Sequence, residues 1–375
     1  MLKYMTTGES HGQYLAALIE GVPSGLAVDL DYINGMLRHR QQGYGRGGRQ
    51  KIEQDQVQIL GGVVKGVSTG APIGFLLVNN DFKIDKMPEL FRPRPGHADL
   101  VGSIKYHQGI RPVLERASAR ETAMRVAVGS LCRLFLKEFG IEVENHVIQI
   151  GPVKADVSDD LTAEEIRRRK QGSEVSCICR DAEKKMMAAI DEARRSKDTL
   201  GGRFEVRVSG VPIGLGSYVH HERKLDARIA QHAMSMQSVK AVEIGAGVSL
   251  AETFGSKSHD EIFFDKEKKT YFHKTNRAGG IEGGTSNGAD IVVRMTMKPI
   301  STLGQPLASV NMQTKDAEKA DFERSDFCAV PAGSLIGASI VSVVIAEAFL
   351  EKFGGDSMTE IRRNFEGYLR QIQNG

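Results

Sequence analysis

Tryptophan is absent from this chain of 375 residues, and aromatic residues make up only 6% of it. Proteins that hold single-stranded nucleic acid usually stack its bases on aromatic side chains, so this scarcity argues against such a function. The chain also lacks a strong excess of one charge, with 50 basic and 47 acidic residues and a formal net charge of +3. Without a field over the whole surface, any anion must be bound by a local cluster.

Cysteine is scarce as well, and its spacing excludes two common uses. Cys132, Cys177, Cys179 and Cys328 fit neither a disulfide framework nor a zinc site. Cys177-Ile178-Cys179 would be half of a metal site, but no second pair accompanies it. We therefore interpret all four as free thiols in a reducing cytosol, and we expect no metal.

Targeting and membrane signals are also missing. No apolar leader precedes Gly8-Glu9-Ser10, so we expect a cytoplasmic protein. The longest uncharged stretch, residues 328–346, contains Pro331, three serines and two glycines. This composition favours a buried core helix over a membrane span.

The hydrophobic pattern predicts mixed α and β structure in one large domain, residues 1–375. Alternation of apolar and polar residues, with glycine or proline at the ends, predicts strands at residues 14–20, 57–64, 73–79, 203–209 and 291–297. Helical periodicity predicts helices at residues 31–40, 115–139, 224–236 and 333–353. Residues 156–200 form a charged, helical surface segment, in which Thr162 and Glu165 make a capping box.

Five clusters combine glycine with arginine, histidine or serine: residues 8–12, 38–49, 92–111, 277–288 and 323–328. Guanidinium groups on flexible backbone suit phosphates and carboxylates. His11 lies between glycines and could transfer a proton. We favour His107 over His97, because His107 lies shortly before a helix start rich in arginine, which is a natural anion site.

Each cluster also has a simpler interpretation. The first two are compatible with solvated loops, the second with a nucleic-acid contact of the Arg-Gly-Gly kind, and Ser325 and Asp326 with a helix cap. The glycine-rich residues 277–288 lack the Lys-Ser/Thr ending of a phosphate-binding P-loop. A nucleophile–base motif and metal-ligand spacing are also missing, so we expect an organic cofactor assisted by acid–base side chains.

Taken together, the clusters resemble the chorismate synthase family. The matching stretches occur in the family's order and cover nearly the whole chain: residues 8–12, 43–49, 53–55, 94–100, 115–126, 236–243, 277–288 and 323–331. The resemblance implies an α+β fold, a β-α-β sandwich of the chorismate synthase type in a single large domain. It also implies a homotetramer.

The resemblance further implies a lyase of the shikimate pathway. Such an enzyme converts 5-enolpyruvylshikimate 3-phosphate into chorismate by a 1,4-anti elimination of phosphate, and it requires reduced FMN. Some members also reduce flavin with NADPH. Since this chain carries no long insertion, we expect an external flavin reductase, or another source, to supply reduced FMN. We expect neither nucleic acid nor a membrane as a partner.

The resemblance also assigns roles by position. It implies catalytic roles for His11, His107, Asp326, Ser10 and Ser118. It implies that substrate anions, or NADP, are bound by Arg40, Arg46, Arg49, Arg111 and Arg120. It implies that the flavin is contacted by Arg116, Ala117, Ser118, Gln237, Ser238, Gly283, Lys298, Pro299, Ile300, Ser301, Thr302 and Arg324.

Some positions depart from the family pattern. Gly109 stands where many members have aspartate, and we expect it to loosen the hold on Arg111. Gly333, Gly337 and Ala338 replace the usual Ala, Ala and Glu, which would reshape helix packing or an interface. An ordinary flavin oxidoreductase and an RNA-binding protein remain as alternatives, although the first lacks a dinucleotide-binding glycine motif.

Overall fold

The computed structural model describes residues 2–48, 52–158, 161–323 and 325–374. Its mixture of helices and sheets confirms the predicted α+β class. The helices are α1 (Leu30–Gln41), α2 (Asp99–Tyr106), α3 (Ile110–Ala117), α4 (Thr122–Lys137), α5 (Ala163–Lys170), α6 (Arg180–Arg195), α7 (Leu225–Met234), α8 (Gly255–Ser258), α9 (Val330–Phe353) and α10 (Met358–Asn374).

The strands are mostly antiparallel and fall into two main sheets and several hairpins. They are β1 (Lys3–Thr7), β2 (Tyr14–Glu20), β3 (Val57–Gly61), β4 (Val63–Val64), β5 (Val67–Ser68), β6 (Ile73–Val78), β7 (Glu142–Ile150), β8 (Val153–Lys154), β9 (Gly202–Ser209), β10 (Val239–Ile244), β11 (Ile262–Asp265), β12 (Thr270–His273), β13 (Ile281–Glu282), β14 (Thr285–Ser286), β15 (Ile291–Met297), β16 (Ala308–Val310) and β17 (Ala317–Lys319).

The first sheet has four strands in the order β1-β2-β6-β3, all antiparallel. Its strands alternate, so that Leu15 and Ile19 of β2 face inward while Leu18 faces outward. The second sheet has five strands in the order β10-β15-β9-β7-β8, again antiparallel. Its strand β15 runs opposite β9, with Val293 beside Val206.

Helices pack on both main sheets. Helices α1 and α4 pack on the first sheet, α7 and α9 pack on the second, and α4 and α9 pack against each other. At the crossing of α4 and α9, a Cβ added to Gly129 would lie 2.5 Å from both Cβ and the carbonyl oxygen of Ser339. Only glycine allows this close approach, so Gly129 sets the spacing of the core.

Helix α9 is the one helix in the described ranges long and apolar enough to cross a membrane. A core helix can have the same length and composition, and 89% of the most apolar stretch of α9 is buried inside the protein. The expectation of a core helix over residues 328–346 is therefore confirmed. Its apolar side chains face the core around the whole circumference, because both a sheet and other helices surround it.

The predicted helix at residues 115–139 is wrong in its first part. The structure ends α3 at Ala117, places Ser118 in an extended conformation, and begins α4 at Thr122 after a single 3-10 turn. The Ser118 hydroxyl accepts a hydrogen bond from the backbone N–H of Arg120 and so caps that turn. The predicted strand at residues 57–64 is also interrupted, by Gly62.

The charged segment around residues 156–200 contains α5 and α6. The predicted capping box is confirmed, because the Thr162 side chain accepts from the backbone N–H of Glu165 and the Glu165 side chain from that of Thr162. Helix α5 packs on β7, and α6 turns Met186 and Ile190 into the main core. The segment also holds the loop after α1 that carries Arg46, because the hydroxyl of Tyr44 in this loop donates to the Asp191 carboxylate of α6 at 2.8 Å.

Candidate active site

One cavity of about 670 Å³ lies where these elements converge. This volume is typical of sites for small organic ligands. Most of the predicted site residues line it: Ser10, His11, Arg40, Arg46, Ala117, Ser118, Arg120, Gln237, Ser238, Lys298, Ile300, Ser301, Thr302 and Asp326. The fold therefore assembles chain segments separated by up to 316 residues (Ser10 to Asp326) into one site.

Arg40 and Arg120 form a buried cationic wall around one carboxylate. The Asp55 carboxylate accepts from Arg120 at 2.7 Å and lies 3.5 Å from Arg40, while the Asn79 side chain holds the other edge of Arg120. Burial, opposed only in part by Asp55, lowers the pKa of Arg40 to about 9. The charge of Arg40 is poorly hydrated, so this wall would attract an anion strongly.

Arg46 reaches the cavity from the loop that follows α1. Its guanidinium lies 2.7 Å from the Asp326 carboxylate, which also accepts the backbone N–H of Gly47 at 2.6 Å. A Cβ at Gly47 would lie 3.0 Å from the Ser325 carbonyl oxygen, so the contact favours glycine. The two loops are joined further by the hydrogen bond from Phe327 N–H to the Gly45 carbonyl. The glycine-rich sequence therefore brings residues 46 and 326 together.

His11 lies in a tight turn after β1 and is held by a buried glutamate. The Glu115 carboxylate accepts the His11 backbone N–H at 2.7 Å and lies 2.9 Å from Nδ1 of the ring. Burial alone would raise the pKa of Glu115, but the hydrogen bonds from His11 and the charge of Arg111 outweigh it and lower this pKa. Glu115 is therefore an anion that accepts the His11 backbone N–H and lies beside Nδ1 of the ring.

Two serines lie beside His11. The Ser118 hydroxyl donates to the Ser10 hydroxyl at 3.1 Å, and Ser118 also accepts from the backbone N–H of Arg120. Ser118 is available at this position because α3 ends just before it. The helix break that the sequence pattern missed thus places a hydroxyl at the cavity.

The opposite wall comes from the second sheet. Ser238 follows α7 with a positive φ of 70°, and its carbonyl accepts the backbone N–H of Lys298, which follows β15. The Lys298 ammonium donates to the Gly96 carbonyl at 2.8 Å and to the Ser301 hydroxyl at 3.0 Å. Burial, and then the charge of Lys240, lower the pKa of Lys298. An anion beside this ammonium would therefore be stabilised.

Arg94, His97 and Asp99 form a further cluster at the cavity, although the sequence pattern favoured His107 over His97. Asp99 accepts from Arg94 at 2.8 Å and lies 2.5 Å from Nδ1 of His97, and Arg94 also donates to Thr302. Burial alone would raise the pKa of Asp99, but His97 and Arg94 outweigh it and hold this pKa well below its usual range. The signal was the spacing His97-Ala98-Asp99, in which a carboxylate two residues away can orient the imidazole.

Comparisons with known proteins identify the family. The family model described as chorismate synthase matches residues 2–350. A chorismate synthase of Geobacter metallireducens is 50% identical, and one of Carboxydothermus hydrogenoformans is 48% identical, each over all of both chains. A crystal structure of a chorismate synthase superposes with a TM-score of 0.83 at 39% identity, over 100% of this chain and 99% of that one.

The chain belongs to the chorismate synthase family. The resemblance inferred from the motifs is confirmed, and membership carries lyase activity on 5-enolpyruvylshikimate 3-phosphate with a requirement for reduced FMN. Neither alternative, the ordinary flavin oxidoreductase or the RNA-binding protein, is favoured by these comparisons.

Several positions assigned from the chorismate synthase resemblance do not line the cavity formed by the described residues. His107 is exposed at the end of α2, in a left-handed conformation. Arg116 is exposed and donates to the carbonyl oxygens of Thr6 and Gly8. Gly283 and Pro299 are exposed as well. Arg49 and Arg324 lie outside the described residues.

Arg111 is buried behind the cavity and contacts protein groups. It donates to the Pro88 carbonyl at 3.1 Å, lies 3.0 Å from the Glu323 carboxylate and lies 3.7 Å from Glu115. A Cβ at Gly109 would lie 2.9 Å from the Glu89 carboxylate. Because these contacts hold the Arg111 guanidinium from three sides, we find it firmly placed beside Gly109.

The cavity offers a flavin both polar partners and an apolar surface. Within the described residues, Gln237 Oε1 is buried without a hydrogen-bond partner, while its Nε2 contacts Glu121 at 3.3 Å. An unpartnered buried acceptor suits an N–H of a flavin ring. The lining also includes apolar side chains against which a flat ring can pack: Met236, Met297, Ala332 and Ile336. The residues present thus fit the cofactor of chorismate synthases.

Proposed function

We propose that this cavity binds 5-enolpyruvylshikimate 3-phosphate beside reduced FMN and eliminates phosphate from the substrate to give chorismate. The supporting observation is that three arginines assigned to substrate anions, Arg40, Arg46 and Arg120, line the same cavity as most of the residues assigned to the flavin. In the elimination, a C–H bond and the C–O bond to phosphate break and a C=C bond forms. No net oxidation or reduction occurs.

Arg40, Arg46 and Arg120 hold the anionic groups of the substrate. They line the cavity, and two of them are more than 90% buried, so their pairs with carboxylate or phosphate are stronger than such pairs in water. The charge that develops on the leaving phosphate is stabilised by the same groups. Arg49 shares this role by family position. Arg111 does not share this role, because its guanidinium faces the carboxylates of Glu115 and Glu323.

Proton transfer is carried out by His11 and Asp326. His11 Nδ1–H is held by Glu115, and Nε2 lies 3.7 Å from the cavity-lining Asp81. The doubly protonated ring therefore gives its Nε2 proton to the leaving phosphate and is left as the neutral Nδ1–H form. Asp326 is held by Arg46 and Gly47 and takes up the proton that the substrate loses. Ser10 and Ser118 support these transfers with hydroxyl groups linked to each other.

The chemistry that reduced FMN would supply when bound is transient electron donation, with no net change in its oxidation state. The residues that would hold it are Ala117, Ser118, Gln237, Ser238, Lys298, Ile300, Ser301 and Thr302. The Lys298 ammonium would pair with the phosphate of the cofactor, and the apolar side chains of Met236, Met297, Ala332 and Ile336 would hold its ring. Arg116, Gly283 and Pro299 do not line the cavity and Arg324 lies outside the described residues, so these four stay predictions from family position alone.

The second histidine of the site is His97. It lines the cavity and is oriented by Asp99, whereas His107 lies on the exposed end of α2. A paired imidazole is a better proton donor than a solvated one, because its tautomer and orientation are set. We therefore move the role assigned to His107 to His97.

The finer architecture and the assembly follow the family. The helices contact both main sheets, which supports the β-α-β sandwich of the chorismate synthase type. The outer face of the first sheet exposes Met5, Leu18 and Leu60, which supports burial in a homotetramer. The protein works in the cytoplasm without a membrane or nucleic acid, and an external reductase supplies reduced FMN without intrinsic NADPH-dependent reduction.

Binding measurements on paired lysine variants test the shared cavity. Lys298→Ala should weaken anaerobic binding of reduced FMN about tenfold, because one charge-assisted contact to phosphate is lost. Lys240→Ala is the matched control, since Lys240 is an exposed neighbour outside the lining. An unchanged FMN dissociation constant in Lys298→Ala would show that Lys298 does not bind the cofactor.

A further inference from the structure

Glu115 and Arg111 form a buried pair behind His11 that the proposed reaction does not use directly. The Glu115 side chain is fully buried, and its carboxylate contacts both Nδ1 and the backbone N–H of His11. The Glu115 backbone carbonyl also accepts the N–H of Ser10 at 3.0 Å. One residue of α3 therefore holds the turn and the ring together.

Arg111 fixes Glu115 from the other side. Arg111 lies one helical turn before Glu115 in α3, and its guanidinium is 3.7 Å from the Glu115 carboxylate. The guanidinium also contacts the Glu323 carboxylate and donates to the Pro88 carbonyl. A buried carboxylate needs such partners to stay ionised. A chain of contacts therefore connects the ion pair behind the cavity to the imidazole that lines it. It runs from Glu323 to Arg111, from Arg111 to Glu115, and from Glu115 to His11.

We infer that Glu115, held by Arg111, is the positioning residue that keeps His11 in the Nδ1–H tautomer and turns Nε2 toward the cavity. Free imidazoles of histidine favour the opposite tautomer, with the hydrogen on Nε2. A carboxylate fixed beside Nδ1 reverses that preference and also stabilises the positively charged ring. This inference rests on the proposed function only for its effect on turnover.

The charged groups that face His11 come from two other segments. Glu115 lies beside Nδ1, and Asp81 lies 3.7 Å from Nε2. The Lys83 ammonium lies 2.8 Å from Asp81, and the Lys83 backbone N–H donates to the His11 carbonyl. Because Lys83 offsets Asp81 in charge, Glu115 is the carboxylate that decides which ring nitrogen carries the hydrogen.

The test compares Glu115→Gln with the unchanged protein by ¹⁵N NMR of labelled histidine, at a pH where the rings are neutral. The His11 signal is assigned by its loss in His11→Asn. We expect Nδ1–H in the unchanged protein and a mixture of both tautomers in Glu115→Gln, because an amide can either donate or accept. Glu115→Asp keeps the charge on a shorter side chain and should restore much of the Nδ1–H form.

Anaerobic turnover is measured on the same variants. We expect kcat of Glu115→Gln to fall about 10- to 100-fold, a part of the roughly 10²- to 10⁴-fold that acid–base catalysis contributes, while KM changes less than about threefold. The fall of kcat with rising pH should also move to lower pH, since the charged ring loses its counterion. Glu144→Gln is the matched control. Glu144 is also a buried glutamate paired with cations, Arg167 and Lys170, but it does not line the cavity.

The outcomes separate the two ideas. An unchanged tautomer in a folded Glu115→Gln protein would overturn the positioning role. A changed tautomer with unchanged kcat would uphold that role and instead overturn proton donation by His11. If Glu115→Gln melts far below the control, the tautomer in Glu115→Asp decides. We expect the retained carboxylate to keep mostly the Nδ1–H form there, and a predominantly Nε2–H form would contradict the inference.

Discussion

The Arg46 guanidinium lies 2.7 Å from the Asp326 carboxylate, although 280 residues separate the two in sequence. One was predicted to hold substrate and the other to carry a proton, and the structure pairs them directly. Under the proposed function, a substrate anion would share Arg46 with Asp326, so we expect substrate binding and proton uptake to be coupled at this contact. The pair therefore gives a test that separates the two roles.

Asp326→Asn should lower kcat by about 10²-fold or more, because the carboxylate that takes up the proton is lost. Its KM should stay unchanged or fall, since Arg46 becomes free to bind the substrate. Steady-state assays with reduced FMN measure both constants. Asp191→Asn is the control, because Asp191 supports the same loop through Tyr44 but does not line the cavity. A rise of KM without loss of kcat would contradict the role of Asp326.

Arg46→Ala should instead weaken substrate binding. A hydrogen bond to a charged group contributes about 1.5–3 kcal/mol, which corresponds to a rise of the substrate dissociation constant of roughly 10- to 100-fold. Equilibrium binding of 5-enolpyruvylshikimate 3-phosphate measures this directly. FMN affinity should change little, and a larger loss for FMN than for substrate would reverse our assignment of the two walls.

The two candidate histidines can be ranked by mutation. His97→Asn should lower kcat by about 10²-fold, because an oriented acid–base group leaves the cavity. His107→Asn should stay within about twofold of the unchanged protein, since His107 is exposed at the end of α2. Parallel turnover assays decide between them. The opposite ranking would show that the exposed histidine is the functional one.

Acid should remove a stabilising contribution of Glu205, which lies buried beside His146, Arg207 and Arg294. Burial alone would raise its pKa, but the hydrogen bond with His146 and the charges of Arg207 and Arg294 outweigh it and lower the pKa from 4.5 to about 2. The carboxylate therefore stabilises the fold above pH 4.5, by about 3 kcal/mol, and this contribution is lost as pH falls toward 2.

Urea unfolding of Glu205→Gln at several pH values checks this. The difference in free energy of unfolding from the unchanged protein should be large at pH 7 and should shrink between pH 4.5 and 2. Glu142→Gln, at an exposed carboxylate of the same sheet, should show little difference at any pH. A penalty in Glu205→Gln that does not depend on pH would contradict the assignment.

The glycines of α9 test how tightly this helix packs. A Cβ at Gly337 would lie 2.5 Å from the ring of Phe204, which is fully buried, so Gly337→Ala should destabilise the protein by about 1–3 kcal/mol. Gly367→Ala is the matched control in α10, where a Cβ meets only the end of Arg370 at 4.0 Å, and it should stabilise by about 1 kcal/mol. Thermal melts compare the two, and equal shifts would contradict the packing argument.

The sequence predicted the elements with a clear period or a clear boundary. Strand Ile291–Met297 and helix α9 are present where alternation and a long apolar run predicted them. Strand β7 was missed because its buried residues include Glu144, Asn145 and His146, which break the apolar pattern. Their side chains pair with Arg167, Ser334 and Glu205, which are distant in sequence, and a local pattern cannot show such partners.

The site shows the same limit. Motif resemblance identified residues most of which line the cavity. It missed the break at Ser118 and the role of Glu115, since Glu115 is explained by His11, 104 residues away. His97 and His107 are ten residues apart, and only the fold shows which one turns toward the cavity. The contacts that decide function here are those formed between segments distant in sequence.

The central claim is tested most directly by anaerobic phosphate release from 5-enolpyruvylshikimate 3-phosphate, with FMN chemically reduced in one sample and oxidised in the other. We predict phosphate and chorismate in equal amounts with reduced FMN, and no turnover with oxidised FMN. A folded protein that binds FMN but releases no phosphate in either sample would contradict the lyase assignment and favour the oxidoreductase.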